Sequence, residues 1–166
     1  ADPEEGELMD SCHSYPSIFA LGHKAIQDLL KGPVLVEEKV DGSQFSWGVD
    51  EEGGLRVRSK GAVMHPAAPE KMFSFGVETA KRLQGQLQPG WTYRGEYLRA
   101  PKHNALAYER IPAQHVILFD INPGSEAYLS YDAKVAEAQR LGLEVVPRLY
   151  EGLVLDIVTF RQFLEM

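Results

Sequence analysis

The chain has 166 residues, is 44% hydrophobic and carries a formal net charge of −7, which provides for one ordinary core and a single folded domain. No run approaches the ~20 apolar residues of a membrane span, no secretory signal is visible, and the lone cysteine, Cys12, excludes an intramolecular disulfide and a multi-cysteine zinc cluster. Cysteine usage of this kind points to the cytoplasm or another reducing compartment, and the acidic balance removes a global basic field for nucleic acid while allowing a local basic groove.

Residues 1–14 open with Ala1-Asp2-Pro3-Glu4-Glu5 and read as a disordered tail or a cloning remnant. Over residues 17–30, Ile18, Leu21, Ala25, Ile26, Leu29 and Leu30 recur at helical spacing, and Gly32-Pro33 ends that helix. A strand over 34–40 would turn Leu35, Glu37, Lys39 and Asp41 to one side and Val34, Val36 and Val40 to the core. Phe45 to Val49 and Leu55 to Arg58, joined by the acidic link Asp50 to Gly54, predict a hairpin. Residues 69–87 predict an amphipathic helix carrying Met72, Phe75, Val77, Ala80 and Leu83. Trp91 to Leu98 and His115 to Ile121 are strand-like, Ala133 to Leu141 is helical and closed by Gly142, Leu143 to Tyr150 is a strand, and a last helix begins near Val158. Strands and helices mix without a βαβ rhythm, so the fold class is α+β with mainly antiparallel sheets and flanking helices, not a doubly wound sheet.

The chemistry centres on Glu37-Glu38-Lys39-Val40-Asp41-Gly42. A lysine beside a tight Asp-Gly turn can present its amine from a fixed backbone, and lysine amines form covalent intermediates when their surroundings keep them neutral. Three further strings follow: Arg58-Ser59-Lys60-Gly61, Tyr93-Arg94-Gly95-Glu96-Tyr97, and Val116-Ile117-Leu118-Phe119-Asp120-Ile121. In order and rough spacing these resemble motifs I, Ia, III and IIIa of the covalent nucleotidyltransferases, the superfamily of polynucleotide ligases and mRNA capping enzymes. The segment from Pro101-Lys102-His103-Asn104 to Tyr108-Glu109-Arg110-Ile111-Pro112 narrows the likeness to the RNA ligase branch that includes phage RNA ligase 2. The resemblance covers 15–166, a partial nucleotidyltransferase domain.

That resemblance implies an ATP-dependent RNA ligase. Lys39 would attack the α-phosphate of ATP, the adenylate would pass to an RNA 5′-phosphate, and a 3′-hydroxyl would displace AMP, with Mg²⁺ offsetting the charge of the triphosphate. It assigns nucleotide contacts to Glu38, Val40, Asp41, Gly42, Gln44, Arg58, Lys60, Glu96 and Phe119 and leaves the metal ligands unassigned. Backbone around Glu38 would read the purine edge. Gly42 fits a turn glycine at positive φ. Gln44 stands where related ligases carry asparagine, and serves the nucleotide or only the polar surface. Either Arg58 or Lys60 would meet a phosphate. Glu96 would accept from a ribose hydroxyl, and Phe119 would stack on adenine or else belong to the core. Asp120, next in the strand, points away from Phe119 and is structural. His103 touches RNA or packs in its loop.

Glu151-Gly152-Leu153-Val154 resembles the start of motif IV, but Leu155-Asp156 follow where a basic residue belongs. The reading therefore sets Glu151 aside and takes the chain to stop short of motifs IV and V, unable to complete ligation alone. Rival readings are a DNA ligase adenylation domain, a GTP-using capping domain, and a catalytically inactive nucleic-acid-binding relative. Oligomeric state is left open.

Overall fold

The computed structural model describes residues 12–16, 18, 19, 23–99, 110–124 and 127–152. Leu21, the His103 loop and the helix near Val158 lie outside them. The chain divides into two compact units, Ala1–Tyr15 with Val40–Val145, and Pro16–Lys39 with Val146–Met166.

The larger unit is built on a six-stranded sheet. Its strands are β2 (Ser43–Val49), β3 (Leu55–Ser59), β4 (Val63–Met64), β5 (Thr92–Tyr97), β6 (Val116–Asn122) and β7 (Glu144–Val145). They are ordered β4-β3-β2-β5-β6-β7, antiparallel except for the β6–β7 pair. The predicted hairpin forms as β2–β3, with Asp50 Oδ1 accepting from the N–H groups of Glu52 and Gly54 across the turn. Alternation along the strands sends Phe45, Trp47, Val49, Val57, Tyr93, Tyr97, Val116, Leu118 and Ile121 to one face.

Helices α1 (Ser74–Leu83) and α2 (Tyr131–Leu141) supply the apolar residues that pack with them. Phe73, Val77, Ala80 and Leu83 come from the α1 segment, and Ala138 and Leu141 from α2. The longer helix expected over 69–87 is one α-helix flanked by short 3₁₀ turns, Lys71–Phe73 and Gln84–Gln86. Phe75 does not join the core face; it is exposed and stacks on His115 at 4.7 Å. Helix α2 begins two residues earlier than expected because the Ser130 hydroxyl accepts from Ala133 N–H, and Gly142 closes it at φ 72°.

The smaller unit contains a two-stranded antiparallel sheet of β1 (Val34–Glu37) and β8 (Arg148–Gly152). Two expectations change here. The strand predicted over 34–40 ends at Glu37, after an irregularity at Val36/Glu37; Glu38 N–H then donates to Pro147 O at 2.9 Å. The strand predicted over 143–150 is cut at Val146-Pro147, where proline has no N–H to continue a ladder, so β7 and β8 join different sheets. No helix forms over the described part of 17–30. Only a 3₁₀ turn, Lys24–Ile26, stands there, capped by His23, and Ile18, Phe19 and Leu29 are exposed.

The β2–β5–β6 contact is close enough to require glycine at position 95. A Cβ there would lie 2.3 Å from Val116 Cγ1 and 3.0 Å from Ile117 O. Gly95→Ala should therefore lower stability by about 1–3 kcal/mol through overpacking. Denaturant unfolding measures this, and an unchanged midpoint would contradict the packing described.

Candidate functional site

The residues that alternate with the core set form a second, polar face of the six-stranded sheet. Register places them in rows. Arg58 is opposite Ser46, Ser46 opposite Arg94, and Arg94 opposite Asp120. Next to this row, Gln44 is opposite Glu96 and Glu96 opposite Ile117. Gln44, Arg58, Glu96 and Phe119 are each half-buried, unlike the core residues behind them. Four of the residues expected to hold nucleotide thus share one face. Phe119 lies outside the buried core.

Arg58 and Lys60 separate in position. Arg58 sits within β3, its Nε donating to Ser59 O at 3.3 Å. Lys60 is exposed in the turn beyond the strand end, where Ser59 N–H meets Ala62 O. Gly42 has a different reason from the one expected. Positive φ occurs at Gly53, Gly90, Gly124, Gly142 and Gly152, not at Gly42. Gly42 is needed because its backbone runs against β5: a Cβ would lie 2.5 Å from Tyr97 O. Its N–H donates to Glu96 Oε2 at 3.1 Å, tying the Asp-Gly turn to the strand that carries the glutamate. Asp41 is half-buried and Val40 is buried.

A β-bulge corrects the expected orientation of Asp120. Arg94 pairs with Asp120 but Gly95 pairs with Leu118, so Phe119 is the extra residue. Both Phe119 and Asp120 therefore meet the same side chain on the polar face. Tyr15 packs edge-to-face with Phe119 at 5.3 Å and donates its hydroxyl to Asp120 Oδ2 at 2.5 Å. The bulged carbonyl of Phe119 accepts from Lys134 Nζ at 2.8 Å, reached from α2. Burial raises the Asp120 pKa, opposed by the Tyr15 hydrogen bond and by the charges of Lys134 and Arg94.

Beneath Tyr15 lies Arg94, fully buried. Its Nε donates to Asn122 Oδ1 at 2.7 Å and its Nη1 to His13 O at 2.8 Å, with Ser46 Oγ at 3.4 Å. Its Cζ is 5.2 Å from the Tyr15 ring centre. Residues 12–14 were expected in the tail, yet Cys12 and His13 pack here, Cys12 N–H reaching Thr92 Oγ1 at 2.5 Å. Burial and the charges of Arg94 and Arg58 hold His13 below the ordinary histidine pKa. Sequence reasoning missed Tyr15, Arg94 and Lys134. A charged residue at an outward strand position, between Tyr93 and Gly95, was the one available signal for Arg94.

Glu38 and Lys39 belong to the smaller unit, and both are exposed. The Glu38 N–H is taken by Pro147 O, so any purine contact from that residue falls to its carbonyl. Among the described residues no three His, Cys, Asp or Glu side chains form a set that could hold a metal. No described helix is long and apolar enough to cross a membrane.

The sequence profile of the RNA ligase family matches residues 32–165. No curated protein is matched. Among solved structures, a putative ATP-dependent DNA ligase from Aquifex aeolicus is similar over 93% of this chain at 17% identity and TM-score 0.60. An archaeal ATP-dependent RNA ligase is similar over 84% at 16% identity and TM-score 0.59. A mutant Naegleria gruberi RNA ligase with ATP and Mn is similar over 82% at 18% identity and TM-score 0.60. The chain spans less than half of each, 42%, 37% and 42% respectively. At these identities the likeness shows the fold, an α+β ligase nucleotidyltransferase fold with mainly antiparallel sheets.

The Gly42 contact makes a direct prediction. Neither backbone can yield to a Cβ at 2.5 Å, so in Gly42→Ala the turn must retreat from β5 and lose its bond to Glu96. Stability should fall by about 1–3 kcal/mol, and the Gly42-turn amides should exchange faster with solvent. An alanine variant with parental stability and exchange would show that the turn is not held against β5.

Proposed function

The chain belongs to the RNA ligase family, and from that premise we propose that it serves an ATP-dependent RNA ligase that seals a 5′-phosphate to a 3′-hydroxyl through a lysine-AMP intermediate. The observation that supports the nucleotide side of this reading is the polar sheet face, which carries Gln44, Arg58 and Glu96 in adjacent rows, with the half-buried Phe119 at the β6 bulge beside them. The family likeness of Glu38-Lys39-Val40-Asp41-Gly42 carries the covalent side.

In this reading Lys39 Nζ attacks the α-phosphorus of ATP. The bond to the bridging oxygen breaks, pyrophosphate leaves, and the amine loses a proton as the phosphoramidate forms. An oxygen of the RNA 5′-phosphate then takes the AMP from Lys39. Finally the 3′-hydroxyl attacks that 5′-phosphate and AMP departs. Phe119 stacks on the base, Glu96 accepts from a ribose hydroxyl, and Arg58 offsets phosphate charge. Arg58 is preferred to Lys60 for this role because it lies within the ladder, in the row of Ser46 and Arg94. Gln44 extends the polar row beside Glu96. Glu38, Val40, Asp41 and Gly42 act through their main chain, and Mg²⁺ accompanies the triphosphate with no ligand of this chain assigned. Manganese accompanies ATP in the Naegleria gruberi structure.

Lys39→Ala in the full-length protein should abolish labelling by α-labelled ATP while leaving the fold intact, because Lys39 is exposed. Labelling by ATP but not GTP, and sealing of nicked RNA in preference to nicked DNA, complete the expected result. Acid-labile AMP labelling that persists in the alanine variant would sink the covalent assignment. Phe119→Leu should weaken ATP binding roughly tenfold or more, the range set by losing one base–aromatic stack. A large loss of melting temperature with ATP affinity unchanged would make Phe119 a packing residue instead.

A further inference from the structure

We propose that Tyr15 is a positioning residue for the base of the bound nucleotide: it braces the Phe119 ring and thereby sets the platform on which the base stacks. The inference rests on the reading of Phe119 given above. Phe119 is the extra residue of the β6 bulge, so regular pairing does not fix its direction. Lys134 Nζ holds its carbonyl from the α2 side, which leaves the ring, half-buried and outside the core, to be held by something else. Tyr15 meets that ring at 5.3 Å and 89°, within the favourable edge-to-face range.

Tyr15 is itself restrained from several directions. Its hydroxyl donates at 2.5 Å to Asp120, the next residue of the same bulge. The Arg94 guanidinium lies over its ring at 5.2 Å, and Tyr128 packs edge-on at 6.2 Å. The residues leading to it are pinned by Arg94 Nη1 to His13 O and by Cys12 N–H to Thr92 Oγ1. Burial and the Asp120 carboxylate raise the Tyr15 pKa well above its ordinary value, so the hydroxyl remains a donor throughout the neutral range. Ring and hydroxyl thus grip the two consecutive residues of the bulge at once. A ring anchored in this way cannot swing about its Cα–Cβ bond without breaking the bond to Asp120.

The test compares Tyr15→Leu, Tyr15→Phe, Phe119→Leu and the Tyr15→Leu/Phe119→Leu pair in the full-length protein, reading KM for ATP, kcat of adenylylation and Tm. Tyr15→Leu should raise KM about two- to tenfold with kcat nearly unchanged, and Tyr15→Phe, which keeps the ring, should restore most of the affinity. In the Phe119→Leu background, Tyr15→Leu should add no further loss, because its effect passes through the missing ring. Multiplicative losses in the pair, or a Tm drop with KM unmoved, would overturn the inference while leaving the Phe119 assignment standing. An unchanged KM in Phe119→Leu would overturn both. Should Tyr15→Leu not fold, Tyr15→Phe decides alone: loss of the hydroxyl anchor should raise KM slightly in the parent and not in Phe119→Leu, and equal KM in both comparisons would refute it.

Discussion

The larger unit is organised around a fully buried guanidinium, that of Arg94. A charge taken out of water is costly unless hydrogen bonds and charge partners replace the solvent. Arg94 meets that condition at Nε and Nη1, though not at the buried Nη2, by drawing together parts of the chain that are distant in sequence: Asn122 from β6, Ser46 from β2, and the carbonyl of His13 from the N-terminal segment. Burial lowers its pKa, and the Asp120 carboxylate acts in the opposite direction. The core face of the same sheet would form from hydrophobic alternation alone. On the polar face, Arg94 joins β2, β5 and β6 to the N-terminal segment.

Two consequences follow for the site. The segment from Cys12 to Tyr15 covers the end of the polar face near Ser46, Thr92 and Arg94, which are buried, while Gln44, Arg58, Glu96 and Phe119 remain half-buried. Gln44, Arg58 and Glu96 lie away from that segment, and Phe119 meets it only through the edge-to-face contact with Tyr15. The β6 bulge connects the segment to the sheet. It brings Phe119 and Asp120 to one tyrosine, and Lys134 supplies the hydrogen bond that the bulged carbonyl would otherwise lack. Close approach sets the geometry on the neighbouring strands, where Gly42 and Gly95 admit backbone or side chains that no Cβ would allow.

Much of this was legible from periodicity. The β2–β3 hairpin, β5, β6 and α2 with its Gly142 stop all follow from local signals, while Gln44, Arg58 and Glu96 were singled out by the family resemblance. The misses have physical causes. Local pattern identifies a strand but not its partner, so the pairing of β1 with β8 was not visible; Pro147 was a local signal for the division, and the strand reading ran through it. Strict alternation put Asp120 opposite Phe119, and one inserted residue cancelled that inference. Helical spacing in residues 17–30 gave only a 3₁₀ turn over the described part, where Ile18, Phe19 and Leu29 are exposed. Tyr15 lies in irregular chain, where no period exists to be read; its role comes from contacts made with residues more than a hundred positions away.

The central claim is that nucleotide binds the polar face of the six-stranded sheet. An ATP titration of isotope-labelled full-length protein, followed by amide and aromatic NMR shifts, tests it most directly. The account predicts that the largest changes fall on Gln44, Arg58, Glu96 and the Phe119 ring, with α1 and α2 little affected. Shifts concentrated on the helical side, with those four residues unmoved, would contradict it.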